Sequence, residues 1–143
     1  MDDDYAPRPI ARWYMVAAVA SLLLTGLFCI LYLMHVTADP AAMPLDQRAA
    51  YDVMPAWVIG AFGVGAWVGL GGAVLLLMKR KQAEVAMLVS LAGMLVWLAG
   101  SMVVAPLREA MSATDLLLII VLVAVDWTIF WFARHSRMRG WLR

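Results

Sequence analysis

Four long apolar runs leave this chain few folds to choose from. The first extends from Trp13 to Met34, the second from Ala56 to Met78 and the third from Val85 to Ala105, all without a charged residue. The fourth, about Leu116 to Ala133, carries one charge, Asp126. Each approaches the roughly 20 residues that a helix needs to cross a bilayer. In hydrocarbon every backbone amide must be satisfied inside its own element, and the alternating pattern of a membrane barrel is absent from the sequence. The expected fold is therefore all-α: an antiparallel four-helix transmembrane bundle filling one domain over 1–143. Composition agrees, since 65% of residues are apolar and only 15% charged, against about 25% charged in a soluble domain. This argues against a soluble enzyme, a disordered tail and a nucleic-acid reader.

The first run is too long for a cleaved signal, and Asp2, Asp3 and Asp4 stand where a signal has basic residues. A retained anchor is expected, although Val36-Thr37-Ala38 resembles a cleavage site. Lys and Arg accumulate on the cytoplasmic side of short loops. Arg8, Arg12, Lys79, Arg80, Lys81, Arg134, Arg137, Arg139 and Arg143 fall on one side, nine of the eleven basic residues. Only Arg48 and Arg108 fall on the other, with Asp39, Asp46, Asp52, Glu109 and Asp115. The expectation is a multi-pass bacterial inner-membrane protein with both termini cytoplasmic. Trp13, Tyr14, Trp131 and Trp141 would lie at the inner headgroups, and Tyr32 and Trp57 at the outer ones.

Short connections make successive spans antiparallel. Ser112 and Asp115 predict a cap for the fourth helix, through a hydroxyl acceptor and an acid at the positive helix end. The outer loop, 36–55, contains a candidate short helix from Pro44 to Met54 with Leu45, Ala49 and Val53 on one face. It is either a loop packed over the bundle mouth or a lid.

The second span holds six of the ten glycines. Ala61, Gly65, Gly69 and Ala73 recur every four residues and share a face. Small residues let helix backbones approach closely in lipid. That face predicts tight packing within the bundle, or a seam against a second copy or another subunit. Ala17, Ser21, Thr25 and Cys29 form a similar stripe on the first span.

Asp126 lies near the bilayer midplane, eight residues before Arg134. An ionised carboxylate there costs about 2.5–3.5 kcal/mol on insertion scales, so it should face the bundle. Ser21 and Thr25 lie at similar depth and are its candidate partners. The pair would either fix helix register or bind a proton or cation. Trp67, Trp97 and Trp127 also fall at mid-helix, whereas tryptophan ordinarily seeks the interface. They would fill a roomy core or wall a cavity for a quinone, a carotenoid or a lipid tail. No catalytic residues, metal site or obligatory cofactor are expected. Cys29 is the only cysteine, and His35 and His135 close helices at opposite faces, about 30 Å apart.

Several fragments resemble a family of small bacterial four-helix membrane proteins often labelled "sugar transporter". They are Arg48-Ala49-Ala50-Tyr51, Met54-Pro55-Ala56-Trp57-Val58, Ala61-Phe62, Trp67, Gly69, Lys79-Arg80-Lys81, Ser90-Leu91 and Gly140-Trp141-Leu142-Arg143. The resemblance implies a transport label but brings no site residues, and Asp126 stands outside its pattern. The spans contain no Asn or Gln, and a sugar site needs several such groups, because each buried hydroxyl must be paired. The expected function is an accessory subunit of a larger membrane complex, or an apolar-ligand binder. The alternative is a proton-coupled small-solute carrier acting through Asp126. Expected partners are the bilayer and other membrane subunits or further copies of the chain.

Overall fold

A computed structural model describes residues 9–143, and all regular structure within them is helical. Asp2, Asp3, Asp4 and Arg8, which enter the signal and charge arguments, lie outside the described residues. Four helices are long and apolar enough to cross a membrane: α1 (Trp13–Thr37), α3 (Ala56–Leu77), α4 (Gln82–Val103) and α6 (Ala113–Met138). Two short helices, α2 (Leu45–Asp52) and α5 (Ala105–Ala110), lie in the connections.

Local chemistry moves several helix ends away from the hydropathy boundaries. Asp115 is part of a full capping box: Ser112 Oγ accepts from the Asp115 amide, and the Asp115 carboxylate accepts from the Ser112 amide at 2.9 Å. The fourth span therefore starts at Ala113, before its apolar run begins. Pro106 occupies the first turn of α5, where a missing amide hydrogen costs nothing, so the third connection contains a helical turn that hydropathy did not reveal.

Close backbone contacts join α1 to α3, α3 to α4, and α4 to α6. The α3–α4 contact pairs residues in opposite order along the two helices. A methyl group added at Gly72 would meet Ala86 and Met87, one at Gly69 would meet Ser90, and one at Gly65 would meet Met94. Gly65 and Gly69 thus face α4, and Ala73 is fully buried beside them. The small-residue face is used inside the chain. Its counterpart on α4 is Ala86, Gly93 and Gly100, spaced by seven. The backbones come closest at Gly93, where an added Cβ would stand 2.9 Å from the Ala61 carbonyl oxygen and 2.9 Å from the Gly65 nitrogen. The stripe on α1 is largely buried as well, with Cys29 Sγ 3.3 Å from the Ala66 carbonyl of α3.

At the end of the bundle that carries the termini, two helix stops are stitched together. Gly140, at φ 72, ends α6, with the Trp141 amide donating to Ser136 O and the Gly140 amide to Arg137 O. Lys79, at φ 56, ends α3 in the same way, with the Arg80 amide donating to Leu75 O and the Lys79 amide to Leu76 O. Both are Schellman caps, which need a left-handed residue just past the helix. The Arg143 amide then donates to Lys79 O at 2.6 Å, and the Lys81 amide to Arg143 O at 3.1 Å. This pairing tucks Trp141 and Leu142 into the core. The Trp141 ring meets Trp13, Tyr14 and His135 edge-on at 5.7, 5.8 and 6.1 Å. The Tyr14 hydroxyl donates to Leu76 O at 2.6 Å. Glu84 of α4 pairs with Arg137 of α6 on the same end.

Candidate functional site: a buried polar layer and a cavity at the loop end

The apolar core falls into two clusters. One, at the terminal end, includes Ala18, Ala73, Met87 and Ile129. The other, at the loop end, includes Phe28, Ala66, Met94 and Val123. Between them, at matching heights on the four long helices, come Ser21 and Thr25, Gly69, Ser90, and Asp126. Ser90, Thr25 and Asp126 are fully buried.

Asp126 does not meet the partners that depth alone suggests. The Ser21 hydroxyl donates to Ala17 O and the Thr25 hydroxyl to Ser21 O, each at 2.8 Å within its own helix. The partner of Asp126 is Ser90 of α4, whose Oγ stands 3.1 and 3.2 Å from the two carboxyl oxygens. The same Oγ lies 2.8 Å from the Gly65 carbonyl of α3. Helix geometry explains the difference: α6 packs on α4 and not closely on α1, and a mid-helix hydroxyl on α1 can bond the carbonyl one turn back. Ser90 could have been found from depth, since it lies nine residues past Lys81 and Asp126 lies eight before Arg134.

Ser90 has one hydroxyl hydrogen for three acceptor oxygens, so the set is short of donors. A proton on the carboxyl supplies a second donor, and so does the NH2 of asparagine. Asp126→Asn should therefore unfold within about 0.5 kcal/mol of the parent protein in detergent, where ordinary surface changes also fall. Asp126→Leu should lose about 1 kcal/mol, the scale of a membrane hydrogen bond. Equal stability of all three proteins would remove the structural role of the bond.

A cavity of about 540 Å³ opens at the loop end, apart from Asp126. Its walls come from every long helix: Leu31 and His35 of α1, Ile59 and Phe62 of α3, Trp97 of α4, and Leu118 and Ile119 of α6. Gln47, Ala50 and Tyr51 of α2, with Met54 just beyond it, also line the cavity. The α2 face seen in the sequence, Leu45, Ala49 and Val53, turns outward, with Leu45 84% exposed. The opposite face meets the bundle because Ala50 and Met54, one turn apart, fit against it. The lining is mostly apolar. Asp115 reaches the cavity, but its carboxylate is held by the Ser112 amide and hydroxyl. His35 Nε2 is buried and has no hydrogen-bond partner among the described residues.

The three mid-helix tryptophans are not gathered around one space. Trp67 and Trp127 point outward, 46% and 56% exposed. Trp97 alone of the three lines the cavity, stacked on Phe62 with ring centroids 4.2 Å apart. Among the described residues, no three His, Cys, Asp or Glu side chains come close enough together to hold a metal. Compared with family profiles, with curated proteins and with solved structures, the chain matches none.

Proposed function

We propose that this chain is a non-enzymatic, antiparallel four-helix protein of the bacterial inner membrane, and that it binds an apolar ligand in the loop-end cavity. The observation that carries this reading is the cavity itself: about 540 Å³, lined by aliphatic and aromatic side chains from all four long helices and by methionines of the connections. Ligand sites are of this size and character, with few polar groups fixing orientation. A catalytic reading finds less support, because the one acid among the cavity-lining residues is committed to capping α6. The basic bias supports a cytoplasmic side for both termini, and on that reading the cavity is in the outer half of the bilayer.

The outward Trp67 and Trp127 support a second role as an accessory subunit, since they offer aromatic surface at bilayer depth to a neighbouring helix. A proton-coupled carrier would use Asp126, yet Asp126 is sealed by Ser90 and lies seven residues, about 10 Å along α6, from the nearest cavity residue, Ile119. Loss of pH-dependent uptake in a folded Asp126→Asn protein would reinstate that reading.

Small molecules retained by protein extracted in native lipid discs can be identified by mass spectrometry. Ala50→Trp fills the cavity from its roof and should deplete the retained apolar molecule at least about tenfold, a change of about 1.4 kcal/mol. The folded yield should not change. No molecule enriched in the parent protein over the filled variant would overturn the proposal.

A further inference from the structure

We infer that the cavity selects a flat ring bearing a carbonyl oxygen, of the quinone type, over a plain hydrocarbon chain, and that His35 is the residue that reads the oxygen. The inference rests on the apolar-ligand reading of the cavity and deepens it.

Two aromatic pairs lie along the cavity. His35 and Tyr51 form one at the mouth, with ring centroids 5.2 Å apart and planes at 48°. Phe62 and Trp97 form the other, stacked at 15°. Trp97 is six residues before the end of α4, while His35 is in the last turn of α1. The stack therefore lies roughly 9 Å deeper than the helix ends. A cavity lined for a saturated chain needs only aliphatic groups, whereas aromatic faces and edges favour another ring. The volume admits a six-membered ring and a chain of about ten carbons at interior packing density.

The second observation is the orphaned nitrogen. His35 lines the cavity, and its Nε2 is shut away from solvent with no partner among the described residues. A buried polar atom left in this state is costly. Turning the imidazole toward the cavity brings Nε2 to an acceptor oxygen of an occupant at the mouth, and the cost is removed when Nε2 carries the hydrogen and donates it. The polar oxygen then faces the bilayer edge and the tail runs toward Phe62 and Trp97. Tyr51 closes over the ring from α2, which makes that short helix the roof of the site.

The test compares two probes on the detergent-solubilised full chain by native mass spectrometry: decyl-benzoquinone and decylbenzene, which share a tail and a ring and differ in the carbonyls. The parent protein should bind the quinone about tenfold more tightly, the equivalent of one hydrogen bond. His35→Phe keeps the ring and removes the nitrogen. It should bind decylbenzene as the parent does and lose the quinone preference. Quinone quenching of tryptophan fluorescence should fall in Trp97→Phe, locating the probe in this cavity. Equal binding of both probes by the parent overturns the inference and leaves the apolar-ligand reading standing. Binding of neither probe overturns both.

Discussion

Gly93→Ala should cost about 2 kcal/mol of stability, in the range of overpacked cores, although it adds one methyl group to a helix. Alanine in a helix interior ordinarily gains 0.5–1 kcal/mol or so over glycine, so the expected sign is reversed by contact. The new Cβ would stand 2.9 Å from Ala61 O, 2.9 Å from Gly65 N and 3.2 Å from Gly65 Cα. These are backbone atoms, and relief requires α3 and α4 to separate. Gly65→Ala should cost less, because its nearest neighbours are the Met94 Cγ and Sδ at 2.9 Å, and methionine repacks readily. Gly71→Ala is the control: nothing described lies within 4 Å of its added Cβ, so it should be neutral or slightly stabilising. Unfolding titrations in mixed micelles measure all three. Equal stability of the Gly93 and Gly71 variants would show that the helices do not approach as described.

Trp141→Ala is expected to cost about 3 kcal/mol, the lower end of the range for emptying a large aromatic site. Trp141 is the third residue from the end of the sequence and yet only 5% exposed, wedged against Trp13, Tyr14 and His135. Its removal empties the space that holds the first turn of α1 against the end of α6. It also frees the segment that pairs with the Lys79–Lys81 turn. Trypsin should then cut after Arg139 much faster than in the parent. Trp131→Ala, on an exposed side chain of the same helix end, should stay within about 0.5 kcal/mol of the parent. A Trp141 variant with parental stability and tryptic resistance would mean that the tail is not docked.

The spans were legible because lipid imposes one requirement on every residue of a crossing helix, and hydropathy records it directly. The fine ends were not, except at Ser112 and Asp115, where a capping box has its own sequence signature. Ser90 and Gly93 escaped for a different reason. Asp126 and the glycines of α3 are conspicuous in their own helices, whereas a lone serine or glycine on α4 becomes informative only when the neighbouring helix is known. The seven-residue spacing of Ala86, Gly93 and Gly100 was the available signal. A cavity was one of two readings of the three tryptophans, the other being a filled core, but a helix positions side chains by angle as well as depth. Trp67 and Trp127 share a depth with Trp97 and face away from it. The roof face of α2 was not legible, because a short helix at a membrane edge can leave leucine outside and bury alanine.

The way the polar layer is satisfied also dictates an order of manufacture. Synthesis delivers α1 before the other three long helices, and Ser21 and Thr25 bond carbonyls of their own helix, so these two hydroxyls can wait in lipid with no hydrogen unspent. Asp126 cannot wait in that way, because its partner is on α4 and the shared carbonyl is on α3. It lies on α6, which follows α3 and α4 in the sequence, so synthesis makes its partner and the shared carbonyl before it. The most costly side chain of the layer thus emerges after the residues that receive it.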